Sequence, residues 1–304
     1  MICPLCDSKR SVIVRRTSLL ELKNDWISSF GFDPFPSDLI VKEFDKKRCI
    51  SCHLEFFDPP LYGDAAFYAK ISKHPWYYEK NKWEFDVAAE VVSKLMPKNL
   101  LEIGCGEGCF LEKILPLGLD AEGVDINKDA IETCKDKGLN VDTKNVFNIT
   151  KTYDMVVLFE VLEHMENAKE LISFVTSKLI RSGGHLVISV PNPEGYFKEL
   201  GTVLLDMPPH HNSSWSLRTF EHLSVQFGMQ LNDYKKEPLR YVHYIDLLKG
   251  VVKDNFTSSS ISLKKRVAQR LRSLVINLFS PLTYLSDREK VDGQTHMVIF
   301  KKTT

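Results

Sequence analysis

The segment LLEIGCGEG at positions 100–108 sets the architecture of this chain, because an apolar run leads directly into three closely spaced glycines. The apolar part predicts a buried strand over Asn99–Gly104, and the residues after it predict a helix over Cys109–Leu117. Glycine lets the backbone turn tightly and lets a ligand approach where a Cβ atom would clash. We therefore expect a ligand above the start of this helix, at the carboxyl end of the strands.

The rest of the chain alternates strand patterns with helix patterns. The run YDMVVLF at 153–159 is apolar almost throughout, which is typical of a strand buried on both faces of a sheet. Strands that alternate with helices predict an α/β fold with a mostly parallel sheet. Further strands are predicted at Asp120–Asp125, Gly184–Val190 and Thr295–Lys301, and further helices at Val87–Leu95, Lys128–Lys137, Ala168–Leu179 and Ser216–Phe227.

The glycine spacing and the nearby charges indicate which ligand the bend binds. A dinucleotide site has the pattern G-x-G-x-x-G/A, whereas this chain has G-x-G-x-G at 104–108. Glu102 stands two residues before the first glycine, where a carboxylate would repel a pyrophosphate but can orient an ammonium group. Asp125 ends the second predicted strand, where a carboxylate can accept hydrogen bonds from both hydroxyls of a ribose.

Four segments in this order resemble the motifs of class I S-adenosylmethionine-dependent methyltransferases. They are LEIGCGEG, GVDIN, YDMVVLFEVLEHM and SGGHLVISVPNP, and the similarity is good over 87–197 and looser towards the C-terminus. The resemblance implies a Rossmann-like fold, S-adenosylmethionine as cofactor and a methyl-transfer activity. A generic Rossmann turn that binds NAD, or binds nothing, is the alternative.

The resemblance also implies which residues contact the cofactor. Asn145 falls where many relatives have an aspartate that binds the adenine amino group, and its side-chain carbonyl can accept the same hydrogen bond. In relatives, aromatic residues before the core cover the cofactor, which makes Tyr78 and Trp83 candidates; interdomain packing is the alternative. The full set of expected contacts is Glu102, Gly104, Gly106, Gly108, Asp125, Ile126, Asn145, Val146, Phe159, Glu160, Tyr78 and Trp83.

Two C-x-x-C pairs near the N-terminus, Cys3 with Cys6 and Cys49 with Cys52, predict a structural zinc site. Four thiolates complete a closed tetrahedral shell around Zn²⁺. The 42 residues between the pairs exceed the usual spacer, so an elaborated loop or short helix is expected there. RCISCHLEFFDPP resembles the second knuckle of zinc-ribbon methyltransferases associated with polysaccharides and natural products. His53 replaces the usual glycine and is an alternative ligand.

We expect the chain to divide into three parts. Residues 1–60 form the zinc-ribbon module, 61–85 an aromatic linker, and 86–304 the methyltransferase domain. A helical insertion at about 245–290 precedes the last strand and contains a basic amphipathic helix over Ile261–Phe279. That helix is expected to pack on the body or on a second subunit. Docking to a membrane surface and contact with nucleic acid are its alternatives.

Histidines are the candidate catalytic residues on the acceptor side. An alcohol acceptor loses a proton when it is methylated, and histidine is the usual base. His164 follows the strand at 153–159, where acceptors bind in this fold. His210 and His211 follow the DMPP run in a segment that resembles a loop over the acceptor pocket of polysaccharide-type methyltransferases. A surface or core role is the alternative for each, and it is the expectation for His222.

Charge and composition narrow the classes of function. Forty basic residues balance forty acidic ones, which argues against DNA or RNA binding by bulk electrostatics. No segment reads as a signal peptide or a membrane span, so a cytoplasmic protein is expected, with the inner membrane face as an alternative location. The favoured function is O-methylation of a sugar, glycan or other small molecule. A zinc-ribbon RNA base methyltransferase and a catalytically idle cofactor-binding interaction protein are the alternatives.

Overall fold

The computed structural model describes residues 2–74, 76–196, 198, 203–249 and 280–303. The strands among them are β1 Ser11–Ser18, β2 Glu43–Cys49, β3 Glu55–Asp58, β4 Asn99–Ile103, β5 Asp120–Val124, β6 Val141–Asp142, β7 Tyr153–Phe159, β8 Ile180–Pro191, β9 Ser213–Ser214, β10 Met229–Pro238 and β11 Asp292–Lys302. The longer helices are α1 Leu19–Phe30, α2 Ala65–Ile71, α3 Trp83–Leu95, α4 Cys109–Ile114, α5 Lys128–Asp136, α6 Ala168–Phe174, α7 Leu217–Gln226 and α8 Tyr241–Lys249.

A seven-stranded sheet forms the larger part of the molecule, in the order β10-β11-β8-β7-β4-β5-β6. The strands from β8 to β6 pair in parallel, whereas β11 pairs antiparallel with both β8 and β10. The predicted mostly parallel, Rossmann-like α/β sheet is confirmed. After β6 the chain crosses β4 to form β7, and this reversal opens a crevice at the carboxyl end of β4, where ligands bind in such sheets.

Helices cover both faces of this sheet because strand residues alternate between two apolar layers. Leu101 and Val156 lie in one core with residues of α6 and α7. Leu100 and Val157 lie in the other with residues of α3, α4 and α5. β7 is therefore buried on both faces, as its continuous apolar run predicts.

The helices that follow the site strands begin at residues suited to cap them. The Asn127 side chain accepts hydrogen bonds from the N–H groups of Asp129 and Ala130 at the start of α5. Ser216 and Thr219 form a reciprocal capping box at the start of α7. These caps fix where the chain leaves the carboxyl edge of the sheet.

A second sheet of four strands lies at the N-terminus, in the order β1-β2-β3-β9. Its last strand comes from far along the chain, since Ser213 and Ser214 pair with Phe56 and Glu55 of β3. Helix α1 occupies the long spacer between the cysteine pairs and buries Trp26 completely. The N-terminal module therefore shares a sheet with the larger part of the molecule.

Strand β10 is the longest strand that the sequence pattern did not reveal. It precedes the predicted insertion at about 245–290, and as an exposed edge strand it has no continuous apolar run. The helix expected over Ala168–Leu179 is α-helical to Phe174 and continues as a π-helical turn. The predicted amphipathic helix Ile261–Phe279 lies outside the described residues. Among the helices that are described, none is long and apolar enough to cross a membrane.

Candidate active site

Three glycines shape the bend between β4 and α4. Gly104, Gly106 and Gly108 have φ angles of 78°, 50° and 74°, a left-handed conformation that favours glycine. A Cβ atom on Gly104 would lie 2.6 Å from Val161 Cγ2, and one on Gly108 would lie 2.5 Å from Leu139 Cδ1. Both conformation and packing therefore restrict these positions to glycine.

Asp125 holds the bend from the tip of β5. Its Oδ2 atom accepts a hydrogen bond from Gly106 N at 2.8 Å, and its Oδ1 atom accepts one from Asn127 N at 2.8 Å. Each carboxylate oxygen keeps a further lone pair. The carboxylate is thus fixed in orientation while it can still accept hydrogen bonds from two ribose hydroxyls.

Tyr78 covers the bend from the linker side. Its Cε1 atom would lie 2.8 Å from a Cβ atom on Gly106, and its hydroxyl accepts a hydrogen bond from Asn127 Nδ2 at 2.9 Å. Burial raises the pKa of Tyr78 to about 12, so the hydroxyl stays protonated near neutral pH. Ile126, which lies in the chain between Asp125 and Asn127, is 90% exposed, and as a cofactor contact it stays a prediction.

Glu102 is an unpaired acid buried at the end of β4. The residue is 2% exposed, and its Oε2 atom has no hydrogen-bond partner. Burial and the nearby Asp125 raise the pKa of Glu102 well above its usual range, and Lys82 partly offsets them. A buried polar atom without a partner costs free energy, and a ligand ammonium would supply that partner. This orphaned oxygen therefore fits the methionine end of S-adenosylmethionine.

The other predicted cofactor contacts lie in varied surroundings. Asn145 is exposed, and its Oδ1 atom accepts a hydrogen bond at 3.0 Å from the backbone N–H two residues on, which leaves one lone pair for adenine. Phe159 is 5% exposed and packs inside the core. Trp83 and Val146 are half-buried at the edges of the two cores. As cofactor contacts, these four residues stay predictions.

Acidic side chains enter the site directly after β7. Glu160 has a φ of 55°, and its N–H donates a hydrogen bond to Ser189 O at 3.0 Å. Oε1 of Glu160 and both carboxylate oxygens of Glu163 are buried without a partner. Burial, with a smaller effect of Glu163, raises the pKa of Glu160 well above its usual range, and burial raises the pKa of Glu163 to about 7.

Lys82 is a cation that faces these carboxylates. Its Nζ atom lies 3.8 Å from Glu84 Oε1 and 5.7 Å from the centre of the Phe85 ring. Burial alone lowers the pKa of Lys82, but the carboxylates of Glu84, Glu160 and Glu163 outweigh it and raise that pKa. Neither Lys82 nor Glu163 was among the predicted site residues. Glu163 could have been predicted from the E-x-x-E-H pattern at 160–164, which places it directly before His164.

His164, His210 and His211 form one cluster, in which a ring nitrogen of each lies within 4.8 Å of the other two. The ring centroids are 4.4 Å apart for His210 and His211, 4.6 Å for His164 and His210, and 4.7 Å for His164 and His211. His210 and His211 are only 6% and 7% exposed. The fold therefore brings together the three histidines that the sequence suggested for the acceptor side, while His222 lies on α7.

The Nδ1 atom of each histidine lies within hydrogen-bond distance of a carbonyl or carboxylate oxygen. His164 Nδ1 lies 2.7 Å from His210 O, His210 Nδ1 lies 2.8 Å from Leu205 O, and His211 Nδ1 lies 3.1 Å from Asp206 Oδ1. Because these oxygens can only accept a hydrogen bond, each Nδ1 must carry the proton. The lone pair of each neutral ring is then on Nε2. Burial lowers the pKa of His164 to about 3 and that of His210 well below its usual value, so both rings are neutral at pH 7.

A chain of aromatic rings joins the histidine cluster to the glycine bend. Tyr77 packs edge-on against Tyr78 with 5.0 Å between ring centroids, and its ring lies 6.1 Å from that of His210. Tyr68 from α2 packs edge-on against His164 at 5.9 Å. Burial raises the pKa of both Tyr68 and Tyr77, so their hydroxyls stay neutral. The bend and the histidine cluster together make up the candidate site, with the bend as its cofactor half and the cluster as its acceptor half.

The loop over 206–214 is anchored to the N-terminal part of the chain. Asn212 Oδ1 accepts a hydrogen bond from Leu61 N at 2.9 Å, and Asn212 Nδ2 donates one to Leu61 O at 3.1 Å. Trp26 Nε1 in the module donates to Pro208 O at 3.0 Å. The position of the two loop histidines therefore depends on the module and the linker.

A cavity of about 130 Å³ lies between the module and the larger sheet. Met165 and Asn212, which follow two of the clustered histidines in the chain, form part of its wall. Aromatic side chains form much of the rest, including Phe56, Tyr62 and Trp215. This cavity is largely apolar, and the side chains of the three clustered histidines do not line it.

The four predicted metal-binding cysteines also come together. Cys3 Sγ lies 3.5 Å from Cys52 Sγ, Cys6 Sγ lies 3.6 Å from Cys49 Sγ, and all four sulfur atoms lie within 4.8 Å of one another. These separations are far longer than a disulfide bond of about 2.05 Å. Four sulfur atoms placed about 2.3 Å from a tetrahedral zinc ion are about 3.8 Å apart, so the geometry fits Zn²⁺.

Both cysteine knuckles turn in the same way. The residues that follow the second cysteines, Asp7 and His53, have φ angles of 59° and 61°. Each donates its N–H at 3.1 Å to the carbonyl oxygen of the first cysteine of its pair. His53 therefore adopts the conformation that favours glycine in relatives. It is not part of the metal-ligand group that the described residues form.

Comparison with known proteins gives one family and several distant relatives. Residues 78–233, just over half of the chain, match the family model described as a methyltransferase domain. Over 152 residues the chain is 26% identical to the ubiquinone biosynthesis O-methyltransferase of Alkalilimnicola ehrlichii, a match that covers 45% of this chain and 61% of that protein. The protein of the same name from Nitrosomonas europaea is 24% identical over 149 residues, with 42% and 63% covered.

Solved structures of similar fold are more remote in sequence. An S-adenosylmethionine-dependent methyltransferase from Archaeoglobus fulgidus is 23% identical, with 72% of this chain and 94% of that chain covered and a TM-score of 0.46. A putative sarcosine dimethylglycine methyltransferase from Galdieria sulphuraria is 13% identical, with 73% and 91% covered and a TM-score of 0.47. The chain spans about three fifths of the length of the two curated relatives named above.

Proposed function

The chain belongs to the methyltransferase domain family, and from this premise we propose that it transfers the methyl group of S-adenosylmethionine to an oxygen atom of a small-molecule acceptor. Curated relatives named as O-methyltransferases support transfer to oxygen. The resemblance of the cysteine module to zinc-ribbon methyltransferases favours a sugar or glycan hydroxyl as the acceptor group.

The observation that carries this proposal is the arrangement around the glycine bend. Asp125 is held by Gly106 and Asn127 with lone pairs left for a ribose, and Glu102 offers a buried, unpaired oxygen at the end of β4. An adenosine linked to an amino acid has ribose hydroxyls and an ammonium group, which match these two carboxylates. A pyrophosphate would meet negative charge at both positions.

Methyl transfer is an in-line displacement at the carbon bound to sulfonium. The acceptor oxygen forms a bond to the methyl carbon, the carbon–sulfur bond breaks with its electron pair moving to sulfur, and the hydroxyl proton leaves the acceptor. The protein's task is to align the three atoms and exclude water. The buried histidine cluster, one aromatic ring beyond Tyr78, stands where it can contact the acceptor oxygen.

A single substitution in the bend tests the cofactor site. Gly106→Arg places a side chain on the Tyr78 ring at a left-handed position, so we expect calorimetry to show loss of S-adenosylmethionine binding. Gly118→Arg is the matched control, because Gly118 has a similar φ of 67° with no atom within 4 Å of a Cβ and precedes β5 at the opposite edge of the sheet. If Gly106→Arg binds S-adenosylmethionine with unchanged affinity, the glycine bend is not the cofactor site.

A turnover screen separates the competing functions. The purified chain is given S-adenosylmethionine with nucleotide sugars, lipid-linked glycans or RNA, and S-adenosylhomocysteine is measured. Product with a sugar-bearing acceptor supports the proposal. Product with RNA alone would favour an RNA base methyltransferase, against which the nine basic and nine acidic residues of 1–60 argue. Donor binding without turnover on any acceptor would favour an idle cofactor-binding protein.

We further propose that the four cysteine thiolates hold one structural Zn²⁺ ion. The sulfur separations and the equivalent turns of the two knuckles support this, and four sulfur ligands leave no position open for substrate. The ion would stabilise a module of about sixty residues, which has a limited core of its own.

A further inference from the structure

We propose that His164, His210 and His211 bind a second metal ion, a divalent transition metal such as Zn²⁺, through their Nε2 atoms. The site lies in the acceptor half, apart from the four cysteines, and nothing in the family match assigns it. Its suggested role, to hold the acceptor oxygen, rests on the proposed methyl transfer. Its existence does not, because metal binding can be measured without donor or acceptor.

The orientation of the three rings is the first support. Histidine metal ligands almost always donate the other ring N–H to a carbonyl or carboxylate oxygen, which fixes the ring and its tautomer. Here all three Nδ1 atoms have such a partner, two of them backbone carbonyls and one the Asp206 carboxylate. One nitrogen of each ring lies within 4.8 Å of a nitrogen of each other ring. The rings of His210 and His211 stack at 18° to each other, so binding one ion requires a small turn of these two rings.

Unpartnered buried atoms at the cluster are the second support. His210 Nε2 is buried and has no hydrogen-bond partner. Both carboxylate oxygens of Glu163 are also buried without partners, and Oε1 lies 3.8 Å from His164 Nε2. Native interiors seldom leave so many acceptor atoms unpaired, because each one loses its bonds to water. A cation would engage these lone pairs together.

The charges around the cluster suit a dication. Glu163 and Glu160 face it from the segment after β7, and Asp206 faces it through His211. Lys82 brings one positive charge to the same side, with Glu84 3.8 Å from its Nζ atom, and Lys46 and Arg15 bring two more near Asp206. The four carboxylates still outnumber the three cations, and three neutral imidazoles alone would add no charge to balance an ion.

The ligand type indicates the class of metal. Imidazole nitrogens suit Zn²⁺, Co²⁺, Ni²⁺ and Fe²⁺, whereas Mg²⁺ and Ca²⁺ prefer oxygen ligands. Three histidines also differ from four cysteines in leaving a coordination position open. An acceptor hydroxyl in that position would lose its proton to water more easily, and its oxygen would then attack the methyl carbon.

Metal stoichiometry of the full chain tests the proposal. The protein is stripped with a chelator, reloaded with Co²⁺ or with Zn²⁺, freed of excess ion and analysed for metal. We expect two equivalents per chain in the wild type and one in His210→Ala and in His211→Ala. In these variants the sulfur-to-cobalt charge-transfer bands should be as strong as in the wild type, because the Co²⁺ ion that is lost is not bound by the cysteines. His185→Ala, a half-buried histidine near the start of β8, should keep both equivalents.

Two results would overturn the proposal: a wild type that takes up one equivalent only, or histidine variants that keep two. The free energy of unfolding in urea and the circular dichroism spectrum show whether each variant is folded, because donor binding reports on the cofactor half only. His164→Gln replaces any variant that fails this check. Lost donor binding in a wild type that holds two metal ions would instead contradict the proposed function and leave the metal site intact.

Discussion

The two halves of the site are built in opposite ways. The cofactor half comes from short neighbouring segments, with Gly104–Gly108, Asp125 and Asn127 close in the chain and Tyr78 laid over them. The acceptor half combines Tyr68 from the linker, the segment after β7 and the loop over 206–214. The first half thus depends on two adjacent strands, β4 and β5, and on the linker segment just before them, whereas the second exists only when distant parts of the chain pack together.

This difference assigns a task to the N-terminal module. Trp26 and Leu61 hold the loop that carries two of the clustered histidines, and β3 pairs with the strand that follows it. No such contact is needed for the hydrogen bonds at the glycine bend. We therefore expect damage to the module to disable acceptor turnover while donor binding survives.

The largest effect is expected from removing the two proposed zinc ligands of one knuckle. Cys49→Ser/Cys52→Ser should lose one metal equivalent and unfold the module, because structural zinc supplies much of the folding free energy of such modules. Turnover should fall by tenfold or more, roughly the effect of 1.4 kcal/mol on the barrier, while calorimetry should show donor affinity within about threefold of wild type. The control is Ser51→Ala between the two cysteines. Full turnover in the double variant would show that the acceptor half does not depend on the module.

A smaller effect of the same kind is expected from Asn212. Asn212→Ala leaves the N–H and carbonyl of buried Leu61 without partners, which typically costs about 1–3 kcal/mol per group. The free energy of unfolding in urea should fall by about 2 kcal/mol, and KM for the acceptor should rise while donor affinity holds. Asn212→Asp places a buried carboxylate oxygen against Leu61 O, so it should destabilise the fold at least as much as Asn212→Ala. An equal loss of donor affinity would argue that the halves are not separable.

The smallest effect is expected on the cofactor side alone. Tyr78→Phe keeps the ring over Gly106 and removes the hydrogen bond with Asn127, worth about 1 kcal/mol. Calorimetry should therefore show donor affinity reduced by roughly fivefold, with no change in metal content. Tyr241→Phe, which removes a 2.8 Å hydroxyl contact with Ser280, is the control. If the KM for the acceptor rises more than the Kd for the donor, Tyr78 acts in the acceptor half and not in the cofactor half.

Local patterns sufficed where a few adjacent residues determine the outcome. The glycine bend, the carboxylate at the tip of β5 and the buried strand β7 all follow from short segments, because backbone conformation and apolar patterning act over a few residues. The same patterns missed the strands of the N-terminal sheet, the short β6 and β10. β9 has two residues and pairs with a strand nearly 160 positions earlier, while β10 is an exposed edge with little apolar signal.

The sequence by itself determined the α/β order of elements, the glycine bend, the two cysteine pairs and three candidate acceptor-side histidines. Each of these features follows from adjacent or regularly spaced residues. Only the tertiary structure decided that those histidines meet, that their Nδ1 atoms are tied to oxygens, and that Lys82 and Glu163 face the same site. The physical reason is that burial and non-local hydrogen bonds depend on which segments pack together, and local sequence patterns do not show which distant segments come into contact.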